Sequence, residues 1–249
     1  MPGPGCSGAA QGMPMDFILM LTRNDRTIED ADCVVDAACE LGVRHVGFKD
    51  VGVPAARMRD VVDRIHAHGG TCYLEVVSTT SDAVLRSLEV GRGLGVDRIL
   101  GGTDLDAASR VLGGLARYFP FPGRPVGHPT RLGGTPALIA QHCREARQRG
   151  CGGVDLLAYR ATEADPLDLV RAAREALPDA TLIVAGSVHT ARQIRDLARV
   201  GVDAFTIGSA VFDGSFSPAK GTLRGQILDI LEACDQGRAS PGHAGVPAT

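Results

Sequence analysis

Apolar and polar positions alternate along this chain in a repeating two-part rhythm. A short β-type apolar run comes first, then a segment with apolar residues at helical spacing, then a glycine, then the next run. The first run is Phe17-Ile-Leu-Met-Leu-Thr22. Thr27 and Asp30 then resemble a capping box, opening a helix with Ile28, Ala31, Val35 and Ala38 on one face, closed by Gly42. His45–Lys49 and Cys72–Val77 are the second and third runs, and Arg98–Leu100 is the fourth. The fifth, Arg117–Phe121, is the weakest, because Pro120 removes a ladder donor. A glycine- and proline-rich loop over 122–134 follows. Val154–Tyr159, Thr181–Ala185 and Ala204–Gly208 complete the set, with Asp165-Pro166 as an N-cap and N1 pair before the sixth helix. The last helix is expected from about Leu223 to Ala233.

Eight strand–helix units predict an α/β chain folded as a single (β/α)8 barrel. An open doubly wound sheet needs fewer strands, and often shows GxGxxG after the first; here that position reads Thr22-Arg-Asn-Asp25. The expected boundaries are a flexible leader over 1–14, a barrel domain over 15–235 and a flexible tail over 236–249.

Composition narrows the function. With 249 residues, 44% apolar and 22% charged, the chain buries a full core without staples. Its net charge of −3, with no basic block, argues against nucleic acid as a partner. No apolar run is long enough to span a bilayer, and residues 1–13 lack the basic and apolar regions of a signal peptide. Seven loosely spaced cysteines form no CxxC and no zinc-ligand pair, which suits reduced thiols and a cytoplasmic location. No His/Asp/Glu cluster has metal spacing, so neither metal nor cofactor is expected. The expected partner is a phosphorylated small molecule. Outer helices of barrels often pair, so a homo-oligomer is an open expectation.

Barrel chemistry sits at the C-terminal ends of the strands. The seventh run ends Val184-Ala-Gly-Ser187 and the eighth ends Ile207-Gly-Ser-Ala210. Glycine lets the backbone approach a ligand, and serine adds a donor. Gly186, Ser187, Gly208 and Ser209 are therefore the candidate phosphate site; the alternative is a pair of tight turns. The stretches Ile183–Val188 and Gly201–Phe212 resemble the ribulose-phosphate-binding barrel superfamily of isomerases, epimerases, synthases and decarboxylases. The resemblance covers roughly the last third of the chain. It implies a phosphorylated substrate and leaves the reaction open. The catalytic motifs of its branches are not matched. Where metal-using epimerases carry His-x-Asp on strand two, this chain has Phe48-Lys49-Asp50. Where decarboxylases carry Asp-x-Lys-x-x-Asp on strand three, it has Leu74-Glu-Val-Val77. The histidine-pathway isomerases use an aspartate at the end of strand one, and Asp25 lies beyond that point.

Strand alternation supplies the catalytic candidates. If Val46 and Phe48 face the helices, Lys49 faces inward. If Leu74 and Val76 face outward, Glu75 faces inward beside it. This predicts a Lys49/Glu75 proton-transfer pair, or a Lys49 nucleophile made reactive by a pKa lowered through burial; a structural ion pair is the plain alternative. Asp155 on strand six is a second acid–base candidate or a residue bonding backbone amides. Asp25, Gly102, His128 and Tyr159 are candidate substrate contacts, Tyr159 and Arg160 lying at the end of the sixth run. The predicted activity is sugar-phosphate isomerisation or epimerisation, with a Schiff-base aldolase, lyase or synthase, or a non-catalytic phosphometabolite-binding barrel, as alternatives.

Overall fold

The computed structural model describes residues 15–77, 80–127 and 129–238. Eight parallel strands form one sheet: β1 (Asp16–Met20), β2 (His45–Lys49), β3 (Thr71–Val76), β4 (Arg98–Gly101), β5 (Tyr118–Phe119), β6 (Gly153–Leu156), β7 (Thr181–Val184) and β8 (Ala204–Ile207). Their order is β6-β7-β8-β1-β2-β3-β4-β5, so the chain winds once around an axis. Helices α1 (Ala31–Glu40), α2 (Ala55–Ala67), α3 (Ser81–Leu94), α4 (Leu105–Leu112), α5 (Pro136–Gln148), α6 (Pro166–Ala176) and α7 (Ala191–Val200) follow the first seven strands. A short α8 (Ser209–Phe212) and a long α9 (Leu223–Arg238) follow the eighth. This is the expected (β/α)8 barrel.

The seam between β5 and β6 is the thin part of the wall. Pro120 has no N–H, so β5 stops at Phe119. The Pro120 carbonyl still accepts the Asp155 amide at 3.0 Å, which draws the seam together.

The strands sort their side chains by alternation. Val46, Phe48, Leu74 and Val76 join the large outer core beneath the helices. Ile18, Met20, Tyr73, Leu100, Phe119, Ile183 and Ala204 form a separate inner core inside the barrel. The Tyr73 hydroxyl, within 2.9 Å of His45 Nδ1, accepts from Arg98 at 3.1 Å. The Arg98 guanidinium stacks over Tyr73 and Phe119. His45 and Arg98 are the first residues of their strands, so these contacts lie towards the N-terminal end of the barrel.

Three local expectations are corrected. Thr27 and Asp30 do not cap α1, which begins at Ala31 with no side-chain cap from Asp30. Instead, Thr22–Arg23 and Arg26–Thr27 pair as a hairpin with Asn24 and Asp25 at its tip. Both tip residues have positive φ, 51° and 59°, which a two-residue hairpin with the right-handed strand twist requires. The 122–134 loop holds a second hairpin, Arg124–Val126 with Arg131–Gly133. The sixth strand ends at Leu156 and the chain enters a 3-10 turn, Ala158–Arg160.

Asp165 and Pro166 do open α6 as expected, the Asp165 carboxylate accepting the amides of Leu167 and Asp168.

Candidate active site

Lys49 ends β2, and its backbone is fixed before its side chain is considered. Thr27 Oγ1 accepts the Lys49 amide at 2.9 Å and donates to the Lys49 carbonyl at 2.8 Å. Those two hydrogen bonds tie the first hairpin to the end of β2. It brings Asp25, at the hairpin tip, over the lysine.

Lys49 Nζ donates to Asp25 Oδ1 at 2.7 Å and lies 3.4 Å from Glu75 Oε1. Lys49 and Glu75 are register partners on β2 and β3. The three side chains are only 7%, 15% and 12% exposed. Burial works against the charge on Lys49, but the Glu75 charge and the Asp25 hydrogen bond outweigh it and raise the pKa above the usual lysine value. Lys49 is therefore an ammonium at neutral pH. This corrects the expectation that burial would lower its pKa and free the amine. Burial likewise opposes ionisation of Asp25, yet the Lys49 hydrogen bond and the charges of Lys49 and Arg160 leave it below the ordinary carboxylate range.

Asp155 on β6 is fully buried, and neither carboxyl oxygen has a hydrogen-bond partner. Burial, reinforced by the negative charge of Glu75, pushes its pKa well above the carboxylate range, against the pull of Lys49 and Arg160. Its position beneath Lys49 and Glu75 disfavours a further negative charge there.

Above these groups lies a cleft of about 370 Å³. Its walls include Asp25, Lys49, Glu75 and both Gly-Ser pairs, Gly186-Ser187 and Gly208-Ser209. Gly208 is required by contact: a Cβ there would sit 2.5 Å from Thr22 Oγ1 and 3.0 Å from the Thr22 carbonyl. Gly186 has φ +76° and Ser187 follows it at +64°, a left-handed conformation that an L-residue adopts only at a cost. The Ser187 carbonyl is held by His189 Nδ1 at 2.8 Å and by Gln193 Nε2 at 3.2 Å. Ser209 Oγ accepts the Asn24 amide at 3.3 Å, which joins this rim to the hairpin carrying Asp25.

Seven of the eleven sequence candidates meet in this cleft: Asp25, Lys49, Glu75, Gly186, Ser187, Gly208 and Ser209. Asp155 lies within electrostatic reach of Glu75 and Lys49 without lining the cleft. Gly102 lines a different small cavity beside Val76 and Phe121, and a Cβ on it would meet the Tyr118 hydroxyl at 2.7 Å. Tyr159 packs against the outer core. His128 lies outside the described residues. Thr22 and Arg160, strand-end residues to which the sequence assigns no particular role, line the cleft, as does Thr206. Leu157 and Arg160 share that side because a 3-10 turn repeats every three residues, whereas strand alternation pointed to Tyr159. Among the described residues, no group of three or more His, Cys, Asp and Glu side chains is placed to hold a metal ion. No described helix is long and apolar enough to cross a membrane.

No family model and no curated protein matches the sequence. Solved structures do match it in shape. Orotidine 5'-phosphate decarboxylase from Pyrococcus horikoshii superposes with a TM-score of 0.63 at 12% identity, over 88% of this chain and 99% of that one. Thiamine phosphate pyrophosphorylase from Pyrococcus furiosus gives 0.58 at 12% identity, over 92% and 99%. (S)-3-O-geranylgeranylglyceryl phosphate synthase from Thermoplasma acidophilum, solved with sn-glycerol-1-phosphate, gives 0.58 at 14%, over 90% and 94%. The likeness is one of fold. It is the (β/α)8 barrel that the eight strand–helix units predicted.

Proposed function

We propose that this barrel is an enzyme acting on a phosphorylated carbonyl compound, and that it moves a proton at the carbon beside the carbonyl. The observation that carries this reading is the ammonium of Lys49 held between two carboxylates in a cleft that also exposes both Gly-Ser pairs. Gly186, Ser187, Gly208 and Ser209 anchor the phosphate. Phosphate held there directs the other end of the substrate towards Lys49 and Glu75, and remote binding energy of this kind is used for orientation.

Each side chain has a distinct part. Glu75 takes the proton from carbon. The Lys49 ammonium stands where negative charge develops on the carbonyl oxygen and stabilises the enolate. Asp25 holds Lys49 charged and in place. Asp155, buried beneath them and outside the cleft, acts on the cluster through its charge and does not touch substrate. Returning the proton to the former carbonyl carbon, with the hydroxyl proton passed between the two enediol oxygens, isomerises the substrate; a proton delivered from solvent to the other face of the same carbon epimerises it. A sugar phosphate fits both. The phosphate-bearing compounds named for the three structural neighbours support the substrate class. Cys33, Cys39, Cys72, Cys143 and Cys151 are free thiols, which supports a reducing, cytoplasmic setting.

The Schiff-base alternative needs a neutral amine at Lys49, and two adjacent carboxylates work against it. The test is solvent exchange. The protein is incubated in D2O with a pool of phosphorylated ketoses and aldoses, and the products are read by NMR and mass. Deuterium at the carbon beside the carbonyl, lowered about 10²–10⁴-fold in Glu75→Gln, supports the reading. A borohydride-trapped adduct on Lys49 would replace it with the Schiff-base mechanism. Phosphate binding without exchange or turnover across the pool would leave a non-catalytic binding barrel.

A further inference from the structure

Arg160 has no part in the steps above, yet it stands in the wall of the cleft between the Gly-Ser rim and the charged floor. Its stem lies across Gly186: a Cβ at that glycine would come within 2.9 Å of Arg160 Cδ and Nε. At its far end, Nη2 reaches Asp25 Oδ1 at 3.4 Å and Nη1 reaches the Thr130 carbonyl at 3.4 Å. Bonds from an ionised donor to a carboxylate ordinarily close to about 2.7–2.9 Å. Both contacts are therefore loose. A guanidinium carries five N–H donors in a rigid fork, and 24% of this side chain remains exposed. Asp25 Oδ1 already has a shorter partner, Lys49 Nζ at 2.7 Å, so the Arg160 contact is the weaker of its two.

Arg160 is thus a cation that touches both halves of the site and is firmly bound to neither. We infer that Arg160 takes the phosphate held at Gly186-Ser187 as a bidentate pair, and that doing so draws the guanidinium off Asp25. The inference rests on the phosphate reading of the same cleft and adds a coupling to it. The charged groups facing Asp25 are Lys49 from β2 and Arg160 from the turn after β6; Glu75 from β3 reaches it through Lys49. When Arg160 leaves, Asp25 keeps one cation instead of two and becomes more basic. Phosphate at one end of the substrate then tunes the acid–base cluster at the other. Arg160 is a phosphate ligand and a positioning residue for Asp25. It gives the enzyme a reason to discriminate against the unphosphorylated analogue beyond simple affinity.

The experiment uses the full chain with inorganic phosphate as the probe. Calorimetry gives the affinity of the wild type, Arg160→Gln and Arg160→Lys, and carboxyl ¹³C NMR follows the titration of Asp25 with and without saturating phosphate. The expected result is a loss of about 10-fold or more in phosphate affinity in Arg160→Gln, as removal of a charge-assisted pair gives. Arg160→Lys should fall between, because it keeps the charge and loses the fork. In the wild type the Asp25 midpoint should rise on adding phosphate, towards the value seen in phosphate-free Arg160→Gln. Equal affinity in all three proteins would overturn the role of Arg160 and leave the Gly-Ser site standing. Weaker binding in Arg160→Gln with an unmoved Asp25 midpoint in the wild type would overturn the coupling. No phosphate binding by the wild type would overturn the phosphate site itself, and this inference with it. Should Arg160→Gln fail to fold, Arg160→Lys carries the same comparison.

Discussion

Lys49 Nζ stands 2.7 Å from Asp25 Oδ1, so the end of β2 and the tip of the hairpin after β1 meet in one buried ion pair. Glu75 lies on the other side of the same ammonium at 3.4 Å. One positive charge therefore separates two carboxylates that are both largely out of water.

Removing that charge exposes the cost. Lys49→Met leaves Asp25 and Glu75 buried without their shared cation. The variant should lose about 3–5 kcal/mol, the range for deleting one member of a buried pair. Urea unfolding at pH 7 measures it. Lowering the pH should recover part of the loss, because protonation neutralises the stranded carboxylates; a loss of the same size at pH 4 and pH 7 would argue against the arrangement.

Asp155 makes the opposite contribution to pH dependence. Its folded-state pKa is raised above the unfolded value of 3.8. Between those two values the folded protein keeps a proton that the unfolded chain has released. Stability from this group is therefore greatest below pH 3.8 and falls as pH rises towards the folded pKa. Asp25 runs the other way: its pKa is lowered, so its contribution is present above 3.8 and lost as pH falls through the folded value. Asp155→Asn should remove the Asp155 component, and its stability relative to wild type should rise as pH climbs from 3.8 towards the folded pKa of Asp155. A difference that stays flat above pH 3.8 would mean that the pKa of Asp155 is not raised in the folded protein.

At the rim, strain and binding can be separated. Ser187 holds φ +64° without being glycine. Ser187→Gly removes the left-handed penalty, about 1–2 kcal/mol, at the cost of a more flexible unfolded chain. Thermal unfolding should show equal or higher stability, while the affinity for inorganic phosphate falls for want of the hydroxyl. Gly208→Ala should lose both, since its Cβ meets the Thr22 backbone, with about 1–3 kcal/mol for the overpacking. A Ser187→Gly variant that binds phosphate as tightly as wild type would reduce Ser187 to a turn residue.

Away from the site, the Tyr118 hydroxyl is buried with no hydrogen-bond partner. A buried hydroxyl left unpaired costs about 1–3 kcal/mol in lost hydration. Tyr118→Phe keeps the ring and deletes that group, so it should raise stability by about 1 kcal/mol. A fall in unfolding temperature would show that the hydroxyl finds a partner in solution.

How much of the site was legible follows from how each residue is positioned. Lys49 and Glu75 sit inside regular strands, where a period of two assigns the face, and the outer residues Val46, Phe48, Leu74 and Val76 fixed the register of that assignment. Arg160 and Tyr159 sit just past a strand, where the period changes from two to three and exchanges their faces. Gly102 follows β4 as expected, yet it supports Tyr118 and Phe121 instead of the cleft. Thr27 carries two possible local signals, a helix cap and a hairpin strand, and its long-range bonds to Lys49 decided for the second.

The sequence by itself determined the barrel, its order of units and the inward set of side chains, because burial periodicity is a local property that each strand and helix carries alone. It also determined the two Gly-Ser turns, since a glycine at a strand end is written in the chain. The tertiary structure decided the charge state of the cluster. Whether Lys49 is an ammonium depends on Asp25 and Glu75, 24 and 26 residues away along the chain, arriving within 2.7 and 3.4 Å of it. The pKa of Asp155 is raised because the closed barrel buries its carboxyl without a hydrogen-bond partner and beside the Glu75 charge. Those are distances and desolvation, which no residue carries until the sheet has closed.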